Sequence, residues 1–286
     1  MAARVAVTGA SGKLGRAVVK ELLEHDYEVI ALDRTPPPER DGSRFVRVDL
    51  SDYGQTVGAF TAVDDVHSGL YAIVHLAAIP APGLLPNSAT FANNITVAYN
   101  VFAAARAAGI RNVVWASSET VLGLPFDTPP PYIPLDEEYA ARPESSYSLG
   151  KHLEEQLAAQ FSRWDPETKL IGLRFSNVMN VEDYAGFPDF QDDPTLRKWN
   201  LWSYIDARDG AQAVRRALEY DAKGVVVFII ASPDTVMNAA GSDLAAQVFP
   251  DVEIRRPLGE HESLMSIDKA RRLLGYKPQH TWRDHV

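Results

Sequence analysis

The sequence predicts an α/β fold, a doubly wound parallel sheet with a small C-terminal substrate-binding cap. Three observations carry this. Strand-like and helix-like segments alternate from Arg4 to Phe175. A G-x-x-G-x-x-G turn joins the first strand to the first helix. The conspicuous polar residues, among them Gly9, Asp33, Asp49, Ser118 and Asn177, each fall just after a strand, where sheets of this kind bind ligands.

In chain order, RVAVT (4–8) is a short β-rich run. From Lys13 to His25, Leu14, Ala17, Val18 and Leu22 recur at helical spacing. YEVIAL (27–32), Phe45 to Val48 and Leu70 to Leu76 are the next strands. A long helix spans 91–108 and a strand 112–116; a proline-rich loop over 125–143 exceeds the length of an ordinary connector. A helix over 145–164 and a strand over 169–175 complete the regular alternation. Beyond it, 225–230 reads as a buried strand and 267–274 as a short helix. We divide the chain into a cofactor-binding part (1–175) and a smaller substrate-binding region (176–286) packed on it as a single unit.

Composition narrows the function. A formal charge of −10 argues against nucleic acid, whose phosphates need a concentrated basic surface. With no cysteine, disulfides, thiolate metal sites and a cysteine nucleophile are excluded. No apolar run reaches the ~20 residues of a membrane span, and no signal-peptide pattern precedes the first strand. We expect a cytoplasmic protein without membrane or nucleic-acid partners.

VTGASGKLG (7–15) places glycines where a strand turns into a helix, so that backbone N–H groups and the positive end of the helix dipole face a pyrophosphate. Asp33 ends the second strand, where an acid accepts hydrogen bonds from the adenosine ribose hydroxyls. A carboxylate there repels a 2′-phosphate and favours NAD over NADP; Arg34 and Lys13, either of which can pair with such a phosphate, keep NADP open. Asp49 is a candidate for the adenine edge, with a helix N-cap beside Ser51 as the alternative. The candidate cofactor residues are thus Gly9, Ser11, Gly12, Lys13, Leu14, Gly15, Asp33, Arg34, Asp49, Leu50, Leu76, Ala77 and Ala78.

SSYSLGKHLEEQL (145–157) sets Tyr147 and Lys151 four apart on a predicted helix. About 0.3 such pairs are expected by chance in a chain of this composition, so spacing alone is weak. Chemistry strengthens it. A phenol is a poor base at neutral pH, and an ammonium close by favours the phenolate. Tyr147 can then exchange a proton with a substrate hydroxyl, while Ser118 holds the substrate oxygen.

TGASGKLG (8–15), HLAA (75–78), Asn94, ASSETVLG (116–123) and YSLGK (147–151) together resemble the short-chain dehydrogenase/reductase superfamily. The T-G-x-x-G-x-x-G form is similar to its extended, epimerase/dehydratase branch. RFSNV (174–178), WSYIDARDGAQAV (202–214) and ARRLLGYKP (270–278) look like that branch's later landmarks. The resemblance implies a Rossmann-type sheet, NAD as cofactor and a catalytic set of Ser118, Tyr147, Lys151 and Asn94. In that set Tyr147 is the general acid/base and also meets substrate. Lys151 binds the nicotinamide ribose, and Asn94 supports the lysine through water. It further implies Thr120 as a second hydroxyl, Asn177 on the substrate side and a homodimer built on the helices at 91–108 and 146–161.

Only about 25 residues separate Asn177 from WSYID, roughly half what the resemblance implies for enzymes that grip a nucleotide sugar. That stretch is acidic apart from Arg197 and Lys198. The chain looks more like the uronate dehydrogenase-like group, with a small sugar, sugar acid or polyol as substrate. Arg197 or Lys198 could face a carboxylate, and Trp199 or Trp202 could stack on a sugar ring. The alternatives are an epimerase or dehydratase with tightly bound, recycled NAD, for which Glu119 is a candidate extra acid, and a non-catalytic cofactor-binding sensor.

Overall fold

The computed structural model describes residues 2–39, 41–61 and 69–285. Its first half runs β1 (Arg4–Thr8), α1 (Lys13–Glu24), β2 (Glu28–Asp33), β3 (Arg44–Arg47), α2 (Tyr53–Thr61), β4 (Ala72–His75), α3 (Asn87–Ala107) and β5 (Asn112–Ser118). There follow β6 (Tyr132–Ile133), α4 (Ser146–Trp164), β7 (Lys169–Phe175), β8 (Val178–Met179), β9 (Ile205–Asp206), α5 (Ala207–Glu219), β10 (Gly224–Ile230), α6 (Gly241–Val248), β11 (Glu253–Ile254) and α7 (Asp268–Leu274). Seven strands form one parallel sheet in the order β10-β7-β5-β4-β1-β2-β3. The chain reverses direction across the sheet between β1 and β4, and the crevice at their carboxyl ends is the topological switch point.

Strand periodicity sorts the core. In β1, Val5 and Val7 face a cluster with Val18, Leu22, Val214 and Leu218 of α1 and α5. Ala6 points the other way, into a cluster with Phe60, Val101, Phe102 and Phe161 of α2, α3 and α4. A mid-strand glycine, Gly172, has a steric reason: a Cβ there would sit 2.7 Å from the Trp115 ring. α4 starts sharply because Ser145 and Ser148 cap each other, the Ser145 hydroxyl accepting from Ser148 N (3.1 Å) and the Ser148 hydroxyl from Ser145 N (2.8 Å).

The C-terminal part does two things. β10 extends the main sheet and α5 packs on α1. The remainder builds a separate cap core in which Tyr184, Phe187, Trp202, Tyr204 and Trp282 gather with Phe126 and Ile133 of the proline-rich loop. Among the described residues no helix is long and apolar enough to cross a membrane.

Candidate active site

A cleft of about 920 Å³ opens at the switch point and runs from the glycine turn after β1 to the cap. At its first end Gly9 has φ +68°, and a Cβ there would lie 2.7 Å from Ala77 N. A Cβ on Gly15 would lie 2.1 Å from Gly9 O, so the turn can close onto α1 only with glycine at both places. No side chain caps the α1 N-terminus at Gly12, and no acid occupies its first turn, so its N–H groups face the cleft uncompensated.

Asp33 lines the cleft, its two oxygens accepting from Ser11 N (3.1 Å) and Thr35 N (3.2 Å). Lys13, Leu14, Arg34, Leu50, Leu76, Ala77 and Ala78 line it as well. Both neighbouring cations already have partners: Lys13 Nζ lies 2.6 Å from Asp183 and Arg34 Nη2 2.7 Å from Asp49.

Two expectations change here. Asp49 is turned away from the cleft: it accepts from Ser51 N (2.9 Å) and Oγ (2.6 Å) and pairs with Arg34. The Ser51 and Arg34 hydrogen bonds hold its carboxyl down to about 2. The turn it stabilises presents Val48 and Leu50 to the cleft instead. Ser11 likewise is not part of the cleft lining: its hydroxyl donates to Thr35 O (2.7 Å) and its N–H to Asp33 (3.1 Å).

Ser118, Tyr147 and Lys151 converge at the floor of the cleft, all at most 7% exposed. Ser118 ends β5, and its hydroxyl accepts from Thr120 N (3.2 Å) and Thr120 Oγ1 (3.0 Å). Burial raises the Tyr147 phenol; the Lys151 charge and the Ser118 hydroxyl draw it back, Glu154 and Glu119 oppose them, and the net direction is upward. Lys151 Nζ donates to Ala116 O (2.8 Å) and Glu154 Oε2 (2.9 Å). Burial alone would lower that ammonium, but Glu154 and the groups around it outweigh burial and keep it protonated.

Asn94 makes no direct hydrogen bond to Lys151. It clamps the loop after β4, accepting from Ile79 N (2.8 Å) and donating to Ile79 O (3.0 Å). A carboxamide matches a peptide unit at both ends, so Asn94 shapes the cleft wall at Ile79 and Pro80 from behind. Trp202 is also corrected: it is fully buried in the cap core, its indole donating to Pro194 O (2.7 Å). Trp199 is the tryptophan that lines the cleft, with Asn177, Leu124 and Pro125. Neither candidate carboxylate partner does. Arg197 is buried behind Trp199, stacked on its ring (4.9 Å) and on Phe190 (5.2 Å), and Lys198 reaches toward Asp127 (3.8 Å) outside.

Three residues were not assigned these roles from the sequence. His75 is buried and bonded to Thr8 Oγ1 (2.8 Å); burial and the Lys151 charge push it down to about 3, so it stays neutral and orders the turn into Leu76. Glu155 accepts from Ser117 Oγ (2.6 Å) and, through both oxygens, from Arg174 (2.8 and 2.9 Å), tying α4 to β5 and β7. Ser176 lines the cleft beside Asn177. A lone serine, histidine or glutamate gives no signal in sequence until its neighbours are known.

A glycine cradle on a helix N-terminus, a cleft-lining carboxylate at the end of the second strand and a buried Ser–Tyr–Lys set define a dinucleotide-dependent enzyme. Residues 5–191 match the NAD dependent epimerase/dehydratase family, and the chain belongs to it. L-arabinose 1-dehydrogenase (NAD(P)(+)) of Haloferax volcanii is 30% identical over 225 residues, covering 76% of this chain and 83% of that protein. A UDP-glucose 4-epimerase of Erwinia amylovora is 26% identical over 214 residues, covering 70% of this chain and 60% of its own. Among solved structures, uronate dehydrogenase from Agrobacterium tumefaciens shares the fold with a TM-score of 0.68 at 20% identity, over 99% of this chain and 86% of that one. NAD is the cofactor of this family, and the bare α1 N-terminus, the glycine contacts and Asp33 fit it.

Proposed function

We propose that this chain is an NAD-dependent dehydrogenase of a small free sugar, sugar acid or polyol. The observation that carries it is the buried Ser118–Tyr147–Lys151 set on the floor of the cleft whose far end holds the glycine cradle. When bound, the nicotinamide supplies the hydride acceptor. In this reading Tyr147 Oη takes the proton from the substrate hydroxyl, and the Lys151 charge favours the phenolate that does so. Ser118, oriented by Thr120, donates to the substrate oxygen, and Asn177 borders the same space.

A small substrate is supported by the cap. Between Asn177 and Ile205 its two cations, Arg197 and Lys198, are turned from the cleft, which leaves a nucleoside diphosphate without partners there. The epimerase relative keeps a second reading, an epimerase that recycles its NAD. One spectrophotometric screen separates the two. NAD reduced stoichiometrically by free aldoses, uronates or polyols supports the dehydrogenase. Conversion of a nucleotide sugar without net change in the cofactor band, and silence on free sugars, overturns it. Tyr147→Phe should abolish the turnover by ~10²-fold or more while cofactor binding persists.

We also propose residues 176–286 as the substrate-binding region of a single unit, a cytoplasmic setting, no nucleic-acid or membrane partner, and a homodimer. The cysteine-free acidic composition supports the setting. The exposed Tyr99, Leu149 and Trp164 on α3 and α4 support the dimer, which sedimentation would test.

A further inference from the structure

We propose that Glu119 and Ser176 form a hydroxyl-reading subsite that selects a neutral sugar and rejects the corresponding sugar acid. The proposal rests on the sugar dehydrogenase reading and names the substrate class within it. Glu119 follows Ser118 directly in the chain, and both Glu119 and Ser176 line the cleft while being only 3% exposed. Glu119 Oε1 accepts from Asn200 Nδ2 (3.2 Å). Its Oε2 and the Ser176 hydroxyl find no partner within hydrogen-bond geometry among the described residues, although the Ser176 hydroxyl and the Asn177 N–H lie close enough to act on the carboxyl. Behind them, Asn200 Oδ1 and Arg197 Nε are unpartnered as well, with Asn200 fully buried and Arg197 5% exposed. Buried polar groups are ordinarily satisfied, so open valences at a cleft wall mark where a ligand supplies the missing bonds.

The chemistry of the two wall groups identifies that ligand group. A serine hydroxyl gives and accepts, and a buried carboxyl pushed up to about 7 by burial does the same in its neutral form. A sugar hydroxyl, itself donor and acceptor, satisfies both. A carboxylate only accepts and needs a cation. Lys13 and Arg34 stand at the glycine end, paired with Asp183 and Asp49. Lys151 is paired with Glu154, and Arg197, stacked on Trp199 and absent from the cleft lining, directs its charge to Glu119. Among the described residues, the ionisable groups on the cleft wall beyond Ser118 are Glu119 and Glu144, the latter paired with Arg142 (2.6 Å), so a sugar acid meets a like charge there whenever Glu119 is ionised.

The test is calorimetric binding to the NADH-loaded protein, with L-arabinose and with matched pairs: D-galactose against D-galacturonate, and D-glucose against D-glucuronate. The wild type should bind a neutral sugar about 10-fold more tightly than its uronate. Glu119→Gln, which cannot ionise, should narrow that gap to about threefold or less by strengthening the uronate. Ser176→Ala, a smaller change that checks the same subsite if the Glu119 variant does not fold, should weaken the neutral sugar about 10-fold. A wild type that binds uronates as well as neutral sugars, or a ratio unmoved by Glu119→Gln, overturns the subsite. Binding with the predicted ratio but without NAD reduction leaves the subsite standing and overturns the dehydrogenase. A wild type that binds none of these sugars overturns both.

Discussion

Lys151 and Glu154 meet one helical turn apart, Nζ to Oε2 2.9 Å, with both side chains at most 4% exposed. The carboxylate keeps the ammonium charged against burial, and its negative charge also disfavours the Tyr147 phenolate. Glu154 therefore works on the tyrosine in two opposed ways, directly against ionisation and, through the lysine, in its favour.

Removing that charge should move both limbs of the pH–rate profile toward acid. In Glu154→Gln the phenol loses an opposing charge and ionises at lower pH; the lysine loses its counter-ion and gives up its proton earlier. Oxidation should accordingly gain at pH 6 relative to pH 9, with Glu154→Asp retaining the wild-type profile. Superimposable profiles for the wild type and the Gln variant would remove Glu154 from the chemistry.

Cofactor choice should turn on Asp33. Asp33→Ser removes the carboxylate that opposes a 2′-phosphate and should raise the NADP-over-NAD ratio of kcat/KM by at least about 10-fold. Arg34 contributes little while Asp49 holds it at 2.7 Å. Adding Asp49→Asn should free the guanidinium and raise the ratio again. No change in either variant would place discrimination elsewhere in the cleft.

The buried Glu155–Arg174 pair makes a prediction about stability. Arg174 is bidentate to Glu155, which also accepts from Ser117. Arg174→Met leaves a buried carboxylate without its counter-charge and should cost about 3–5 kcal/mol in urea unfolding. Arg174→Met with Glu155→Leu removes both charges and should recover most of that loss, as buried pairs replaced together by apolar groups generally do.

What the sequence made legible was whatever rests on local pattern. The strands of the main sheet, the glycine turn, Asp33 and the Tyr147–Lys151 spacing are readable because each is fixed by neighbours within a few residues. Contacts between residues distant in sequence are not legible: that Asn94 clamps Ile79 across a helix–loop boundary has no local signal, and of the two tryptophans offered for stacking only the fold shows that Trp202 goes into the cap core and Trp199 lines the cleft. α5 has Ala211, Val214 and Leu218 at helical spacing, but its apolar face is built mostly of alanine and is interrupted by Arg215 and Arg216, so the pattern is weak in sequence. α3 begins at Asn87, four residues earlier than periodicity suggested, since Pro86 at its N-cap sets the start and the first turn is not apolar.

Glu119 should leave a signature in stability as well as in binding. Its carboxyl sits at about 7 in the folded protein against an ordinary 4.5, with burial as the main cause and Ser176, Asn200, Arg197 and the Asn177 backbone pulling the other way. Because the folded value is the higher one, the folded state binds the proton more tightly than the unfolded chain does. The associated stability is fully present below pH 4.5, falls as pH rises toward 7, and is gone above it. Glu119→Gln has no proton to lose and should be insensitive across that window. Thermal unfolding of the two proteins at pH 5, 6, 7 and 8 should thus show the wild-type Tm falling relative to the variant up to about pH 7 and running parallel beyond it. Parallel curves throughout would mean that Glu119 titrates like an exposed carboxylate, and that the wall of the cleft is wetter than its burial indicates.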